Sequence, residues 1–290
     1  MKNSRISLLV TPLVLVLGSA VAWAGSQGGV AVAGIPVFAL VVGLMFLIQI
    51  IVFIPAFFMQ SERFYDLTGS LTYTSMTLFA AALASPLDAR TTLLTALVIV
   101  WAARLGTFLF RRVMNRGKDG RFDDIKPSFV KFLNVWTLQG LWLTLTAGAA
   151  LAAITSTNRV EVDGFLVGGM IVWLFGFTIE VVADLQKGRF RADPANKGRF
   201  IHTGLWSYSR HPNYFGEITL WLGVALIAAP ALQGWQLVTL ISPVFVFLLI
   251  TQVSGIPMLE KYADKTWGGQ EDYEAYKTRT SILVPLPPKK

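Results

Sequence analysis

The feature that most constrains this chain is the repetition of apolar stretches long enough to cross a lipid bilayer. A hydrocarbon core of about 30 Å requires about 20 helical residues, because an α-helix rises about 1.5 Å per residue. Such stretches occupy much of the 290 residues, of which 54% are hydrophobic and 14% are charged. A soluble domain of this length does not need so many apolar residues to fill its core. The sequence therefore predicts an integral membrane protein.

Apolar stretches with few charges are the candidates for membrane-spanning helices. There are eight of them, at residues 6–24, 30–58, 71–84, 91–110, 132–154, 165–182, 214–229 and 235–258. The third is short and its ends are the least certain, and the first could also be a cleaved signal peptide, so the count is seven to eight. We therefore predict an all-α fold, a polytopic bundle of seven to eight transmembrane helices.

The positions of lysine and arginine give an independent indication of topology, because these residues stay preferentially on the cytoplasmic side. With the N-terminus inside, eight spans place 22 of the 25 Lys and Arg residues on one face. Arg90 and Arg159 fall on the other face, and Arg104 lies within a span. The net charge of +8 is thus explained by topology and by contact with anionic lipid headgroups. Nucleic-acid binding is not needed to explain it.

The first apolar stretch has two interpretations. Lys2 and Arg5 precede a stretch that ends in Ala22-Trp23-Ala24, a pattern that also suits a cleaved signal peptide. Its length favours an uncleaved helix, because the apolar part of a signal peptide is shorter. Cleavage would leave seven spans and would move no later loop across the membrane.

No feature divides the rest of the chain into two domains. The apolar spans are not separated by a Pro/Gly/Ser-rich linker, and no repeat of fixed period is present. We predict a single membrane-embedded domain over 1–290, with a first helix or signal peptide at 1–29, a helical core at 30–258 and a cytoplasmic interfacial helix and tail at 259–290. The absence of cysteine excludes disulfides and thiolate metal sites, and two histidines argue against a histidine-rich metal site.

Polar residues are concentrated between residues 180 and 221, at the ends of two predicted spans. Glu180 and Asp184 are four residues apart and share a helical face, as do Asn213 and Glu217 on the next span. Charged side chains at membrane depth face the bundle interior, a partner or a watery cavity. Two such faces could line one pocket.

The carboxylates of this region have a second interpretation. Glu180 and Glu217 could form an intramembrane ion pair with Arg104 or Lys187, and this alternative is as open as ligand binding. For a single basic residue in these loops, topology alone is the simpler explanation. Both alternatives remain open at this level.

Arg210 and His211 point more directly to a ligand. They precede Pro212, which can start a helix, at the mouth of a predicted span. The free backbone N–H groups of a helix start, together with a cation, can hold a phosphate group. We therefore predict an anion-binding position here.

The motif SRHPNYFGE lies at 209–217, with ADLQKGRF before it and ITLWLG after it. Together these segments resemble a membrane-reductase superfamily. This superfamily includes the steroid 5-alpha-reductases and the bacterial proteins related to their C-terminal domain. The segments SERFYDLTGSLTY at 61–73, WAARLGTFLFRR at 101–112 and NRGKDGRFDD at 115–124 resemble its bacterial branch. The resemblance covers about residues 45–287. A looser RHP pattern also occurs in isoprenylcysteine and phospholipid methyltransferases, so the pentapeptide RHPNY alone does not identify the cofactor.

The resemblance implies an NADPH-dependent reductase of an enone carbon–carbon double bond in a lipophilic substrate such as a 3-oxo-Δ4-steroid. It implies a bacterial inner-membrane location, with cytoplasmic loops that form a cofactor pocket open to the cytoplasm. Basic members of the site suit phosphates, whereas carboxylates and the amide suit ribose hydroxyls and the carboxamide. The matching positions for the cofactor are Arg104, Arg111, Lys118, Asp119, Arg121, Glu180, Asp184, Arg210, His211, Asn213, Tyr214, Glu217 and Glu260.

At the substrate end this sequence departs from the steroid enzymes. They carry a Gln-Glu pair in an early helix and a Tyr shortly before the arginine that matches Arg104, whereas this chain has Gln60-Ser61-Glu62 and Trp101. An acid must polarise the carbonyl of an enone, because the developing enolate needs a hydrogen-bond donor.

Two tyrosines are candidates for this proton donor. We predict Tyr65 or Tyr73 in this role, with Glu62 to orient one of them, although tyrosine is also a common membrane anchor. Gln49, Gln60 and Trp101 are the predicted substrate contacts. Gln49 has the alternative of bonding to a neighbouring helix.

Two other classes of protein compete with the reductase. A membrane methyltransferase of the lipid or isoprenylcysteine type would use S-adenosylmethionine, but ADLQKGRF and GKDGRFDD resemble the reductases more. A transporter would place polar residues along a path across the bilayer and often has Gly/Pro-broken helices in matching halves, which are absent from this pattern. We therefore predict the reductase, with membrane lipids and a lipophilic small molecule as its partners.

Overall fold

The computed structural model describes the backbone of residues 2–116 and 120–289, and the side chains of residues 7–110, 120 and 122–289. Over these ranges the chain is almost entirely helical. The helices are α1 (Lys2–Gly25), α2 (Val37–Phe58), α3 (Tyr65–Leu83), α4 (Ala89–Arg116), α5 (Phe129–Thr155), α6 (Gly164–Ala192), α7 (Pro212–Ala228), α8 (Ser242–Leu248), α9 (Ile256–Trp267) and α10 (Glu271–Arg279). Two short strands, β1 (Ala31–Val32) and β2 (Ile35–Pro36), form a hairpin.

Seven segments of the described chain are long and apolar enough to cross a membrane. They are Ser7–Gly25, Val37–Phe58, Ala89–Phe110, Phe129–Thr155, Gly164–Ala192, Pro212–Ala231 and Gly234–Trp267. The prediction of an all-α polytopic bundle with seven to eight spans is confirmed, and the chain is an integral membrane protein. The predicted span at 71–84 belongs to α3, which is not among the seven because hydroxyl residues such as Thr68, Ser70 and Thr72 make it less apolar.

Two predicted boundaries differ from the structure for local reasons. The second span begins at Val37 and not at residue 30, because Ala33 and Gly34 turn the chain into the β1–β2 hairpin with φ angles of 49° and 78°. Positive φ at both turn positions is what a two-residue hairpin loop requires. The last predicted span is not one α-helix: a 3₁₀ helix (Gly234–Ile241), α8 and a π-helical turn (Leu249–Val253) precede α9.

The described residues divide into two compact units. The first contains Met1–Val167 and Val224–Ser242, and the second contains Gly168–Gly223 and Pro243–Lys290. The prediction of a single membrane-embedded domain stays a prediction. Each unit is described by itself below.

In the first unit, α5 is the central helix and contacts α1, α2, α3 and α4. Its run of small residues, Ala147–Ala153 with Leu151 among them, is buried and allows these helices to approach closely. At one end of the unit, the buried guanidinium of Arg90 donates to the carbonyl oxygens of Ile227 and Glu161 and pairs with Asp163 at 2.8 Å. These bonds satisfy a charge that would be costly if it were left alone in the interior.

In the second unit, α6 and α7 approach each other through glycines. A Cβ atom at Gly176 would lie 2.5 Å from the backbone nitrogen of Leu220, and one at Gly216 would lie 2.6 Å from that of Glu180. Only glycine allows two helix backbones to come so close. This contact sets Glu180 directly beside the first turns of α7.

Candidate cofactor site

The second unit contains a cleft of about 120 Å³, lined by side chains from the end of α6, from residues 199–211, and from α9 and α10. Its wall combines cations with aromatic rings. Helix α6 continues past the predicted end of its span at residue 182 to Ala192, and this extension carries Lys187 and Arg191 into the lining. A polar face at the membrane end is thereby built on a rigid helix.

Arg210, His211 and Glu260 form the polar centre of the cleft. Glu260, on α9, accepts a bond from Arg210 Nη1 at 2.6 Å and lies 2.8 Å from His211 Nε2. His211 is only 5% exposed, and this burial lowers the pKa of its imidazole although the bond to Glu260 acts in the opposite direction. A neutral imidazole beside a carboxylate carries its proton on Nε2 and leaves Nδ1 as an acceptor.

Two buried polar atoms of this centre have no hydrogen-bond partner among the described residues. They are the Nε of Arg210, which is a donor, and the Nδ1 of His211, which is an acceptor in the neutral imidazole. A buried polar group without a partner costs about 1–3 kcal/mol. The centre therefore offers one donor and one acceptor to a ligand with both kinds of group.

Lys187 and Trp206 form one wall of the cleft. The indole N–H of Trp206 donates to the carbonyl oxygen of Ala183 at 3.0 Å, which fixes the ring. The Lys187 ammonium lies 4.3 Å from the centre of that ring. A cation–π contact of this kind attracts the ammonium group to the face of the indole ring.

An aromatic cluster forms the opposite wall. Phe200 stacks on Tyr276 with ring centroids 5.3 Å apart, and Trp267 and Tyr273 complete the cluster. The Tyr276 hydroxyl donates to the carbonyl oxygen of Trp206 at 2.7 Å, so α10 is tied to the other wall. Burial raises the pKa of the Tyr273 and Tyr276 hydroxyls, which keeps them neutral. Trp267, Tyr273 and Tyr276 fall within the interfacial helix and tail that the sequence predicts at 259–290.

The charges of the lining do not balance. Four cations, Lys187, Arg191, Arg199 and Arg210, face the single carboxylate of Glu260 among the described residues that line the cleft. A concave wall with an excess of one sign concentrates ions of the opposite sign. Together with the unpartnered donor and acceptor, this set suits an anionic group that is accompanied by hydroxyl or amide groups.

The other predicted cofactor residues of this unit lie on α6 and the start of α7. The Tyr214 ring stacks on His211 with centroids 5.7 Å apart and an interplanar angle of 16°. Glu180 is buried, whereas Asp184, Asn213 and Glu217 are partly buried. The structure thus brings Arg210, His211, Tyr214 and Glu260 into contact, while none of the other four lines the cleft. 

Five further cofactor predictions concern the first unit. Arg104 is partly buried, and its guanidinium lies 5.9 Å from the ring centre of Phe108. Lys118 and Asp119 lie outside the described residues, as do the side chains of Arg111 and Arg121. The cofactor roles predicted for these residues in and before the KDGRFDD motif therefore stay predictions.

Glu62, a predicted catalytic residue, forms an ion pair that sequence analysis did not identify. Its carboxylate, 5% exposed, lies 2.5 Å from Lys126 Nζ. Burial lowers the pKa of Lys126, but the hydrogen bond and charge of Glu62 raise it by more, so the net pKa is raised. A lysine two residues after FDD in a basic loop carries no signal in the sequence that sets it apart from its neighbours.

Tyr65 and Tyr73, the predicted proton donors, differ in their surroundings. The Tyr65 hydroxyl donates to the carbonyl oxygen of Val135 at 3.1 Å, and its ring packs on Phe122 and Trp136 in a buried aromatic group. Tyr73 is buried, and its ring meets Trp101 edge-on with centroids 5.2 Å apart.

The predicted substrate contacts also separate. Gln49 is fully buried and its Nε2 donates to Thr72 Oγ1 at 3.2 Å, while its Oε1 has no partner among the described residues. Trp101 is buried beside Tyr73. Gln60 is exposed, with a φ of 48°, and its amide donates to the carbonyl oxygen of Phe57 in its own turn.

Comparison with known proteins identifies a family and three distant curated relatives. The chain is 27% identical over 203 residues to an uncharacterized protein of Schizosaccharomyces pombe, covering 60% of this chain and 59% of that protein. It is 29% identical over 151 residues to a probable O-methyltransferase, ustE, of Ustilaginoidea virens, covering 51% and 50%. It is 31% identical over 83 residues to 3-oxo-5-alpha-steroid 4-dehydrogenase 1 of Bos taurus, covering 29% and 32%.

The chain therefore spans between a third and three fifths of the length of these curated relatives. No solved structure matches it. The family model DUF1295, described as a protein of unknown function, matches residues 52–280, which include parts of both units and all of the residues that line the cleft. This membrane protein belongs to the DUF1295 family.

Proposed function

We propose that this protein is a membrane reductase that uses NADPH to reduce the carbon–carbon double bond of a lipophilic enone, with 3-oxo-Δ4-steroids as the substrate class. The observation that carries the proposal is the excess of positive charge in the cleft, where four cations face one carboxylate. The likeness to the bovine 3-oxo-5-alpha-steroid 4-dehydrogenase 1 supports the choice of reaction. The basic lining also supports a cleft that faces the cytoplasm of a bacterial inner membrane.

Charge separates this proposal from its main alternative. NADPH is a polyanion, whereas S-adenosylmethionine is a sulfonium cation without phosphate groups. Attraction between opposite charges is strengthened in a partly desolvated cleft, and so is repulsion between like charges. The cation-rich lining therefore favours the dinucleotide.

Each part of the cleft has a role in this proposal. Lys187, Arg191 and Arg199 would bind phosphate oxygens, as would the guanidinium of Arg210. The Arg210 Nε–H and the His211 Nδ1 would bind ribose or carboxamide groups, which gives both atoms a partner. The aromatic wall would hold the adenine by stacking. When bound, NADPH supplies the hydride for the beta carbon of the enone.

The reaction also needs a proton donor at the enone oxygen. We propose Tyr65 or Tyr73 for this role, and the Tyr65 hydroxyl would have to leave its bond to the carbonyl oxygen of Val135. Neutral tyrosine can donate to a developing enolate and lower its energy. Gln49 and Trp101 would contact the substrate. The Glu62 carboxylate would have a structural role in the first unit, through its ion pair with Lys126.

Nucleotide binding is the first test of the proposal. The purified protein in detergent should show a raised unfolding temperature with NADPH and oxidise NADPH when a 3-oxo-4-ene steroid is added. Arg210→Ala should abolish the NADPH effect. Arg189→Ala is the matched control, because Arg189 is exposed on α6 and does not line the cleft. Binding of S-adenosylmethionine without any response to NADPH would overturn the proposal.

A membrane methyltransferase is the second candidate, and the likeness to the probable O-methyltransferase of Ustilaginoidea virens favours it. That match covers more of the chain than the match to the bovine dehydrogenase. Transfer of a labelled methyl group from S-adenosylmethionine to a lipid extract would support it. Under this function the cations of the cleft would bind the substrate headgroup and not the cofactor.

A further inference from the structure

The segment that follows α10 returns along the residues that precede α7. Residues 281–286, here called the strap, begin with a parallel bridge between Ser281 and Ser209. The backbone N–H of Arg210 donates to the Ser281 carbonyl oxygen at 2.8 Å, and the N–H of Leu286 donates to the Tyr208 carbonyl oxygen at 3.1 Å. The strap therefore supplies backbone partners to a loop segment that has no regular secondary structure of its own.

The side chain of Ser209 links the strap to His211. Ser209 is fully buried, with 0% exposure, and its hydroxyl donates to the carbonyl oxygen of Leu283 at 2.7 Å. The same oxygen accepts the backbone N–H of His211 at 3.1 Å. One buried hydroxyl thus joins the strap to His211, a member of the polar centre of the cleft.

Both ends of the strap are anchored. On one side, α10 is tied by the bond from Tyr276 to the Trp206 carbonyl oxygen, and Thr280 is buried. On the other side, the N–H of Lys289 donates to the Arg279 carbonyl oxygen at 2.9 Å. A segment held at both ends can fix the backbone against which it lies.

We propose that the strap positions Arg210 and His211 for ligand binding, and that Ser209 is the positioning residue through which it acts. The strap bonds to the backbone of this pair and does not line the cleft. Without it, the backbone of Arg210 would lose its bridge and the Arg210 Nε and His211 Nδ1 would lose their fixed directions. The inference rests on the proposed function, because NADPH is the ligand with which it is tested.

Truncation of the full-length membrane protein tests this role. A variant that ends after Thr280 removes the strap, whereas a variant that ends after Leu286 loses the anchor at Lys289 but keeps the three bonds to residues 208–210, and is the matched control for those bonds. We expect the first to bind NADPH at least about tenfold more weakly and the second to bind within about twofold of the full chain.

A substitution makes the test independent of any folding defect of the truncated chain. Ser209→Ala removes the bond to Leu283 and the acceptor of the His211 N–H, and should weaken NADPH binding about threefold to tenfold. Ser207→Ala is its control, because the Ser207 hydroxyl bonds only to Gly204 within its own turn. The unfolding temperature without nucleotide is measured for both.

A double-mutant cycle separates positioning from a general loss of structure. If Ser209 acts through His211, Ser209→Ala should add little to His211→Ala but have its full effect in Arg199→Ala, which changes a cation on another segment of the lining. Full additivity with His211→Ala would overturn the inference, and so would unchanged affinity in Ser209→Ala. If the full-length protein itself does not bind NADPH, the proposed function fails, which is a different result.

Discussion

The ion pair between Glu62 and Lys126 gives a prediction that separates a structural carboxylate from a catalytic one. The two side chains are 4% and 13% exposed, and their charged atoms are 2.5 Å apart. Lys126→Met removes the ammonium group and leaves the buried carboxylate with less compensation. Removal of one partner of a buried pair costs about 3–5 kcal/mol, whereas removal of both charges is often neutral.

The free energy of unfolding in detergent, from denaturant titration, measures the effect. We expect Lys126→Met to lower it by about 3–5 kcal/mol and Glu62→Gln with Lys126→Met to recover most of the loss. Lys131→Met, at an exposed lysine nearby, should change it by less than about 0.5 kcal/mol. If Glu62 is structural, the double variant also recovers NADPH oxidation; if Glu62 is catalytic, it recovers stability alone.

Alkaline pH gives the same pair a second test. The folded pKa of Lys126 is raised, so its contribution to stability is complete below the unfolded value of about 10.4 and is lost as pH rises through the folded value. Lys126→Met should flatten this loss. A single variant as stable as the parent chain would refute the reasoning, because the carboxylate would then not depend on this lysine.

Three other predictions follow from single contacts. The pKa of His211 is lowered in the folded protein, so the unfolded state binds more protons. The free energy of unfolding should therefore decrease as the pH is lowered from about 6.5, and this decrease should be smaller in His211→Gln. Gly216→Ala should destabilise the protein by about 1–3 kcal/mol, because its Cβ would meet Glu180, whereas Gly168→Ala on open α6 surface should be neutral; equal unfolding temperatures would contradict this. Gln49→Leu should leave the free energy of unfolding unchanged or raise it, because the Oε1 of Gln49 has no partner among the described residues. The same substitution should increase KM for the steroid, and an unchanged KM would remove Gln49 from the substrate site.

Much of the fold was predictable because membrane spans have a strong signal in sequence. Length and apolarity located the seven segments, since a lipid-exposed backbone must satisfy its hydrogen bonds within its own helix. The end of α6 was not predictable in this way. Its last turns carry Lys187, Arg189 and Arg191 outside the apolar stretch, and charge alone does not distinguish a polar helix from a loop.

In the candidate site, too, some residues were predictable from the sequence and others were not. The motif at 209–217 located Arg210, His211 and Tyr214, because these residues are neighbours in the chain. Glu260 was predicted from the resemblance, and its partners became known only from the structure. The aromatic wall was missed, because rings near a membrane end are equally typical of interfacial anchors.

The sequence by itself determined that this chain is a helical membrane protein, because burial in lipid depends on the length and composition of single segments. Only the tertiary structure decided which polar groups meet. The cleft joins α6, the loop at 199–211, α9 and α10, and the bond from Arg210 to Ser281 of the strap connects residues far apart in the chain. Such contacts depend on how helices pack, for example through glycines such as Gly216. The spacing of apolar residues along the sequence does not predict that packing geometry.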